Sequence, residues 1–150
     1  MFLGSHQHAI DEKGRLTLPA KWRTELATGV VITRGLDGCL FIFPQPTFEQ
    51  MALAVVAQGF ESADSRGWSR FIFGEADQVE LDKQGRILIP QSLRGEFKLD
   101  HEVTVVGLFD RIEVWDPAQY TEMMTRVQSD PNAIAERMRL MIRNVKPAQP

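Results

Sequence analysis

The sequence has 150 residues, 43% hydrophobic and 25% charged, which is the balance of a folded globular protein with room for one ordinary domain or two very small ones, not for a large enzyme with a separate cofactor domain. Lys and Arg number 17 against 20 Asp and Glu, a net charge of −3, so global electrostatics offers no attraction for an acidic partner and any such attraction must be local. A single cysteine, Cys39, excludes an internal disulfide, a zinc finger and an iron–sulfur cluster.

Residues 1–4, Met1-Phe2-Leu3-Gly4, put no charged segment ahead of an apolar core. The longest aliphatic run, residues 52–57, is far shorter than the roughly 20 apolar residues of a membrane helix. A cytoplasmic protein is expected. The first candidate strands, residues 8–10 and 15–18, flank Asp11-Glu12-Lys13-Gly14. Asp at the first place of a type I turn accepts backbone N–H bonds and Gly at the fourth tolerates positive φ, so the segment reads as the tip of a β-hairpin. Pro19 ends the strand and opens a short helix over residues 19–26. A second hairpin is expected from residues 30–33 through Gly35-Leu36-Asp37-Gly38 to residues 40–43, followed by a helix from Pro46 to about residue 58. Residues 61–67 are polar and read as a linker. Residues 68–73, Trp-Ser-Arg-Phe-Ile-Phe, are apolar but too short for periodicity to decide between helix and strand.

The pattern then begins again. Asp11-Glu12-Lys13-Gly14-Arg15-Leu16-Thr17-Leu18-Pro19 recurs as Asp82-Lys83-Gln84-Gly85-Arg86-Ile87-Leu88-Ile89-Pro90, a shift of 71 positions, and both copies read D-x-x-G-R-[LI]-x-[LI]-P. Arg23 matches Arg94 and Glu25 matches Glu96; after one inserted residue, Gly35-Leu36 matches Gly107-Leu108 and residues 40–43 match 112–115. A tandem duplication with pseudo-two-fold symmetry follows. It predicts strands at 79–81 and 86–89, a helix over 90–97, a hairpin from 103–106 to 112–115, and a helix opened by Asp116-Pro117 to about residue 127. Asp130-Pro131 caps a third helix with Ile134, Met138, Met141, Ile142 and Val145 on one stripe. The expected fold is α+β: a first repeat over residues 1–60, a connecting segment over 61–75, a second repeat over 76–128, and a C-terminal helix and tail over 129–150.

These residues resemble the MraZ family of bacterial transcription regulators: Met1-Phe2-Leu3-Gly4, the two D-x-x-x-R motifs, Val106-Gly107-Leu108 and Ile112-Glu113-Val114-Trp115. The resemblance covers about residues 1–128, and no family role is carried over to residues 61–70 or to the tail beyond Ser129. It implies two AbrB-like swapped-hairpin β-barrel halves in one chain, a ring-shaped homo-oligomer, and binding to short repeated promoter sites upstream of the operon for cell division and cell-wall synthesis, with a place on the nucleoid.

The repeated motif has two readings. In one, Asp11 and Asp82 cap their turns, with Gly14 and Gly85, while Arg15 and Arg86 are solvated strand residues. In the other, Arg15, Arg86, Lys13 and Lys83 contact double-stranded DNA, because a two-stranded ribbon fits the major groove and an arginine there can bond guanine O6 and N7 together. Residues 11–23 and 82–98 each carry a net charge of +2 in a chain that is acidic overall, and with the family resemblance this favours the DNA reading. The remaining signals point to ordinary structure. His6-x-His8 shares a strand face but lacks thiolates or an organised carboxylate set for a metal. Trp22, Trp115, Phe41, Phe43 and Phe97 read as core, and Cys39 as a small hydrophobe. The basic face within residues 136–146 suits DNA backbone, an anionic surface, a neighbouring protomer or plain solvation. No nucleophile motif or phosphate loop is present. The expectation is a DNA-binding regulator with no enzymatic activity, cofactor, metal, membrane or small-molecule substrate; the alternative is an antitoxin-like or scaffold protein-interaction module with no specific DNA site.

Overall fold

The computed structural model describes residues 1–142, in two units that divide after Pro117. The first unit is mixed helix and antiparallel strand. Its strands are β1 (Phe2–Ala9), β2 (Arg15–Thr17), β3 (Val30–Arg34), β4 (Leu40–Pro44), β5 (Asp77–Val79), β6 (Arg86–Leu88), β7 (Glu102–Phe109) and β8 (Ile112–Trp115). Six of them form one open sheet in the order β1-β7-β8-β4-β3-β5; β2 and β6 form a separate two-stranded ribbon. The open sheet has β1 and β5 as edges and does not close into a barrel.

Partner choice crosses the repeats. Within a repeat, β3 pairs with β4 and β7 with β8, as the hairpin patterns predict. Every other pairing joins one repeat to the other: β1 with β7, β2 with β6, β3 with β5 and β4 with β8. The segments flanking Asp11-Glu12-Lys13-Gly14 therefore do not extend into a hairpin of their own. A single bridge, Ile10 to Leu16, joins them; beyond it β1 runs along β7 for eight residues and β2 turns to β6.

The β-branched runs of β3 and β7 are buried along most of their length, as strands covered on both faces must be. The core draws on both repeats, with Leu16, Leu18, Trp22 and Ile32 packing in one cluster with Ile87, Ile89, Leu93 and Val105. Trp22 stands edge-on to Phe2 at 5.8 Å and to His6 at 5.2 Å. Trp22, Trp115 and Phe43 are core as expected. Phe97 is only partly buried at the margin of the core, and Phe41 is half-buried with the Arg111 guanidinium 5.1 Å from its ring. Phe41 and Phe43 share the face opposite Leu40 and Ile42, and there Phe43 is covered by Phe48 of the following helix, 5.9 Å away between ring centroids, while Phe41 lies nearer the open end. Cys39 is fully buried, and that burial pushes its thiol well above the usual range, leaving it neutral.

Proline sets the helix starts, though not always the proline that the pattern suggests. A single 3-10 turn, Ala20–Trp22, follows Pro19, and α3 (Gln91–Glu96) follows Pro90. Helix α1 (Gln45–Val56) begins after Pro44, with Pro46 in its first turn, where a missing N–H costs nothing. Residues 68–73 belong to helix α2 (Ala63–Phe73), which also takes in most of the polar stretch before them. Ser62 caps it by accepting the Ser65 N–H at 3.0 Å. Ile72 is the residue it buries, and the Thr33 hydroxyl donates to the Ile72 carbonyl. Phe71 and Phe73 are half-buried beside Ile72, so the apolar positions crowd into the last turns of the helix and residues 68–73 alone are too short to show its period.

Helix α4 (Pro117–Ser129), from Ala118 on, and helix α5 (Pro131–Ile142) belong to the second unit. Asp130 accepts the Ala133 N–H at 3.1 Å, the N-cap expected from Asp-Pro. Ile134, Met138, Met141 and Ile142 lie on α5; Val145, Arg143 and Lys146 lie outside the described residues. Among the described residues, no helix is long and apolar enough to cross a membrane.

Candidate nucleic-acid interface

The two D-x-x-x-R turns are built alike. In the first, the Gly14 N–H donates to the Asp11 carbonyl at 2.9 Å and the Asp11 N–H to the Arg15 carbonyl at 2.9 Å. Asp11 Oδ1 accepts the N–H groups of Lys13 at 3.0 Å and Arg15 at 2.9 Å, while Oδ2 accepts Arg15 Nε at 2.7 Å. In the second, Asp82 Oδ1 accepts the N–H groups of Gln84 and Arg86, each at 2.9 Å, and Oδ2 accepts Arg86 Nε at 2.7 Å. Gly14 and Gly85 stand at φ +84° and +74°, which is why glycine occupies the fourth place.

One carboxylate thus does two jobs that a turn signature reveals only in part. It closes the turn, as expected, and it fixes the arginine guanidinium through Nε. The Arg15 N–H, chief among several donors, holds the Asp11 carboxyl below its usual range, and the Arg86 N–H does the same for Asp82. With Nε committed, the two Nη groups of each arginine remain as a fork, the shape that pairs with two acceptors on one base edge.

The ribbon brings the two forks together. In the antiparallel β2–β6 pair, Arg15 lies opposite Leu88, Leu16 opposite Ile87 and Thr17 opposite Arg86. Opposed residues share a face and neighbours along a strand alternate. Arg15, Thr17, Arg86 and Leu88 therefore occupy one face, and the fully buried Leu16 and Ile87 the other. A pseudo-dyad passes between Leu16 and Ile87, making the arginine face nearly symmetric. Leu88 is 53% exposed on it. The exposed Lys13 and Lys83 sit in the turns at opposite ends of the ribbon.

Two further arginines complete the turns. Arg94 Nε donates to the carbonyl of Ile89 at 3.0 Å and its guanidinium lies against Gly14, where a Cβ would come within 2.7 Å of Cζ. Arg23 Nε and Nη2 donate to the carbonyl of Leu18 at 3.2 and 3.1 Å and its guanidinium covers Gly85. Backbone bonds tie the same places: Ile89 N–H to the Gly14 carbonyl at 2.9 Å, Leu18 N–H to the Gly85 carbonyl at 3.0 Å. Sequence reasoning placed Arg23 and Arg94 in the repeat but not in the site. Their matched positions were the available signal; their contact with the opposite turn was not legible.

His6 and His8 are 6.3 Å apart between ring centroids, and burial lowers His8 from its usual range. Among the described residues no three His, Cys, Asp or Glu side chains are grouped to hold a metal.

The turn geometry makes a prediction. Asp11→Asn, Asp82→Asn keeps an oxygen for the two backbone N–H groups but turns an amide donor toward arginine Nε. The double variant should stay folded and melt only slightly below the parent, and a ribbon that reads DNA through these arginines should lose up to about tenfold in affinity per turn, because binding must now order a free arginine side chain. Anisotropy titration beside thermal unfolding checks this; unchanged affinity would remove the orienting role. A carboxylate held below its normal pKa stabilises the turn at and above about pH 3.9, the ordinary aspartate value, and its contribution fades as pH falls below that value. Parent stability from this source should be level through neutrality and decline only in acid.

Comparison with known proteins places the chain among relatives of one kind. A family model described as "MraZ protein, putative antitoxin-like" matches it twice, over residues 1–71 and 72–142. The second match reaches through α5, beyond the limit near residue 128 that the motifs alone suggest. A protein named Transcriptional regulator MraZ from Moorella thermoacetica is 44% identical over 138 residues, covering 92% of this chain and 96% of that protein. Proteins of the same name from Pelotomaculum thermopropionicum and Salinispora arenicola are 42% and 43% identical, covering 92% and 87% of this chain and 95% and 92% of their own lengths.

Proposed function

Because this chain belongs to the MraZ family, whose relatives bear the name of transcriptional regulators, we propose that it regulates transcription by binding specific DNA through the β2–β6 ribbon. A transcriptional regulator is not an enzyme class. The observation that carries the reading is the ribbon face: two arginines whose Nη groups have no hydrogen-bond partner among the described residues, each steered by an aspartate, at diagonal positions on one face of a two-stranded antiparallel element. Such an element enters the major groove, where an arginine fork reads guanine. Arg15 and Arg86 would contact bases, Lys13 and Lys83 the phosphates beside them, and Asp11, Gly14, Asp82 and Gly85 would hold the turns.

The finer parts of the reading rest on the family resemblance. In this proposal the two repeats are AbrB-like swapped hairpins, which the cross-repeat pairing supports, and the DNA sites are short promoter repeats upstream of the cell-division and cell-wall operon. The protein works on the nucleoid in the cytoplasm as a ring-shaped homo-oligomer. Self-association answers the objection of net charge −3, since a few weak contacts per protomer add up when several protomers engage adjacent repeats at high effective concentration.

Mobility shift on repeat-containing and random DNA of equal length, with light scattering on the free protein, is the test. Preference for the repeat DNA by an oligomer is expected. Equal binding to both, or a monomer at micromolar concentration, would overturn the reading in favour of a protein-interaction module without a specific DNA site.

A further inference from the structure

We infer that Arg23 and Arg94 are DNA-phosphate ligands exchanged between the repeats, so that each DNA-contacting turn is a composite of one repeat's D-x-x-x-R loop and the other repeat's arginine. The inference rests on the DNA-binding reading above and deepens it.

The charge of the turns poses the problem. In the first loop Asp11 and Glu12 cancel Lys13 and Arg15, leaving no net charge; in the second, Asp82 offsets one of Lys83 and Arg86 and leaves a single positive charge. Affinity for DNA comes largely from cations that displace condensed counterions from phosphates. The first loop alone brings no surplus. Arg94, lying against Gly14 between Lys13 and Arg15, supplies it from the other repeat, and Arg23 adds to the surplus at Gly85.

The state of these two guanidinium groups fits that use. Arg34, Arg111, Arg15 and Arg86 each have a carboxylate within 4.0 Å, whereas among the described residues neither Arg23 nor Arg94 forms an ion pair. Each is held instead by a backbone carbonyl, Leu18 or Ile89, which fixes position without cancelling charge. Arg94 keeps both Nη groups free of hydrogen-bond partners among the described residues, and Arg23 keeps one. A half-buried, rigid, uncompensated guanidinium is a ready anion site. An open cleft beside the second turn is lined by Arg23, Lys83 and Gly85 together with Glu80 and Asp82. Phosphates border the groove that the ribbon enters, so groups flanking Arg15 and Arg86 meet backbone rather than bases. The glycines have a second reason to be glycines: a side chain at either would occupy the guanidinium's place.

The experiment measures affinity of the full-length protein for repeat and random DNA at several salt concentrations, for the parent, Arg94→Gln and Arg23→Gln. Expected is a fall in the slope of log affinity against log salt of about one per engaged protomer for each arginine, with equal proportional loss on both DNAs and hence an unchanged preference for repeats. Arg94→Gln should weaken binding more, because it strips the loop with no surplus charge. An unchanged slope in both variants overturns the inference. Should either variant fail to fold, phenylglyoxal labelling of the parent decides. Slower modification of Arg23 and Arg94 in the saturated DNA complex than in free protein supports the inference, and equal rates overturn it. The two proposals fail separately: a parent that does not prefer repeat DNA defeats the function proposed above, whereas a parent that prefers it beside variants with unaltered slopes defeats only the exchanged arginines.

Discussion

Arg15→Ala, Arg86→Ala is expected to lose specific DNA binding by at least a factor of about 30 while unfolding close to the parent temperature. An arginine bonded to guanine through two atoms discriminates by about 1–3 kcal/mol, and two per protomer multiply the loss. The loss recurs at every protomer of an assembly, which removes the avidity that offsets the acidic total charge. Stability should hold because the arginine side chains, although only 31% and 25% exposed, lie on the ribbon face opposite the core, which begins at Leu16 and Ile87. The arginine–aspartate pairs are partly solvated, and pairs of that kind contribute about 1 kcal/mol or less. Each turn also keeps the backbone bonds to the aspartate Oδ1. Anisotropy titration and thermal unfolding on the same samples separate the outcomes. Retained affinity would sink the ribbon mechanism; a collapsed fold would make both arginines structural.

Residues 1–60 and 76–150, expressed apart, should each fail to give a cooperative unfolding transition. Divided, the protein keeps only the β3–β4 and β7–β8 hairpins, and an isolated two-stranded hairpin is marginal in water. The pairings β1–β7, β2–β6, β3–β5 and β4–β8 all vanish, and Leu16, Trp22, Ile87 and Leu93 lose the cluster they share. For a domain whose whole stability is of the order of 5–15 kcal/mol, losing half its core exceeds the margin. Mixing the fragments should restore a transition if the pairings can form between separate chains. Circular dichroism melts of each fragment and of the mixture measure this, and two fragments that melt cooperatively alone would refute the interdependence.

The sequence by itself determined what short-range chemistry determines. The duplication is visible as matching residues at an offset of 71 positions, 72 after one insertion, and it carries the turns with it, because the bonds from Asp11 to the N–H groups of Lys13 and Arg15 span only two and four residues. Spacing also assigned faces: the alternation Arg15-Leu16-Thr17 sets arginine outward and leucine inward whatever the partner strand. It could not name that partner. A period of two says which side of a strand is buried and nothing of which strand lies beside it, so β2 reads as half of a local hairpin although it pairs with β6. The orienting contact from Asp11 Oδ2 to Arg15 Nε needed a particular side-chain arrangement, and the placing of Arg94 on Gly14 and Arg23 on Gly85 needed the halves docked. Helix α2 and the half-exposed ring of Phe41 belong with these. Each is decided by what approaches from a distant part of the chain, and hydrophobic burial rewards contact without regard to sequence separation.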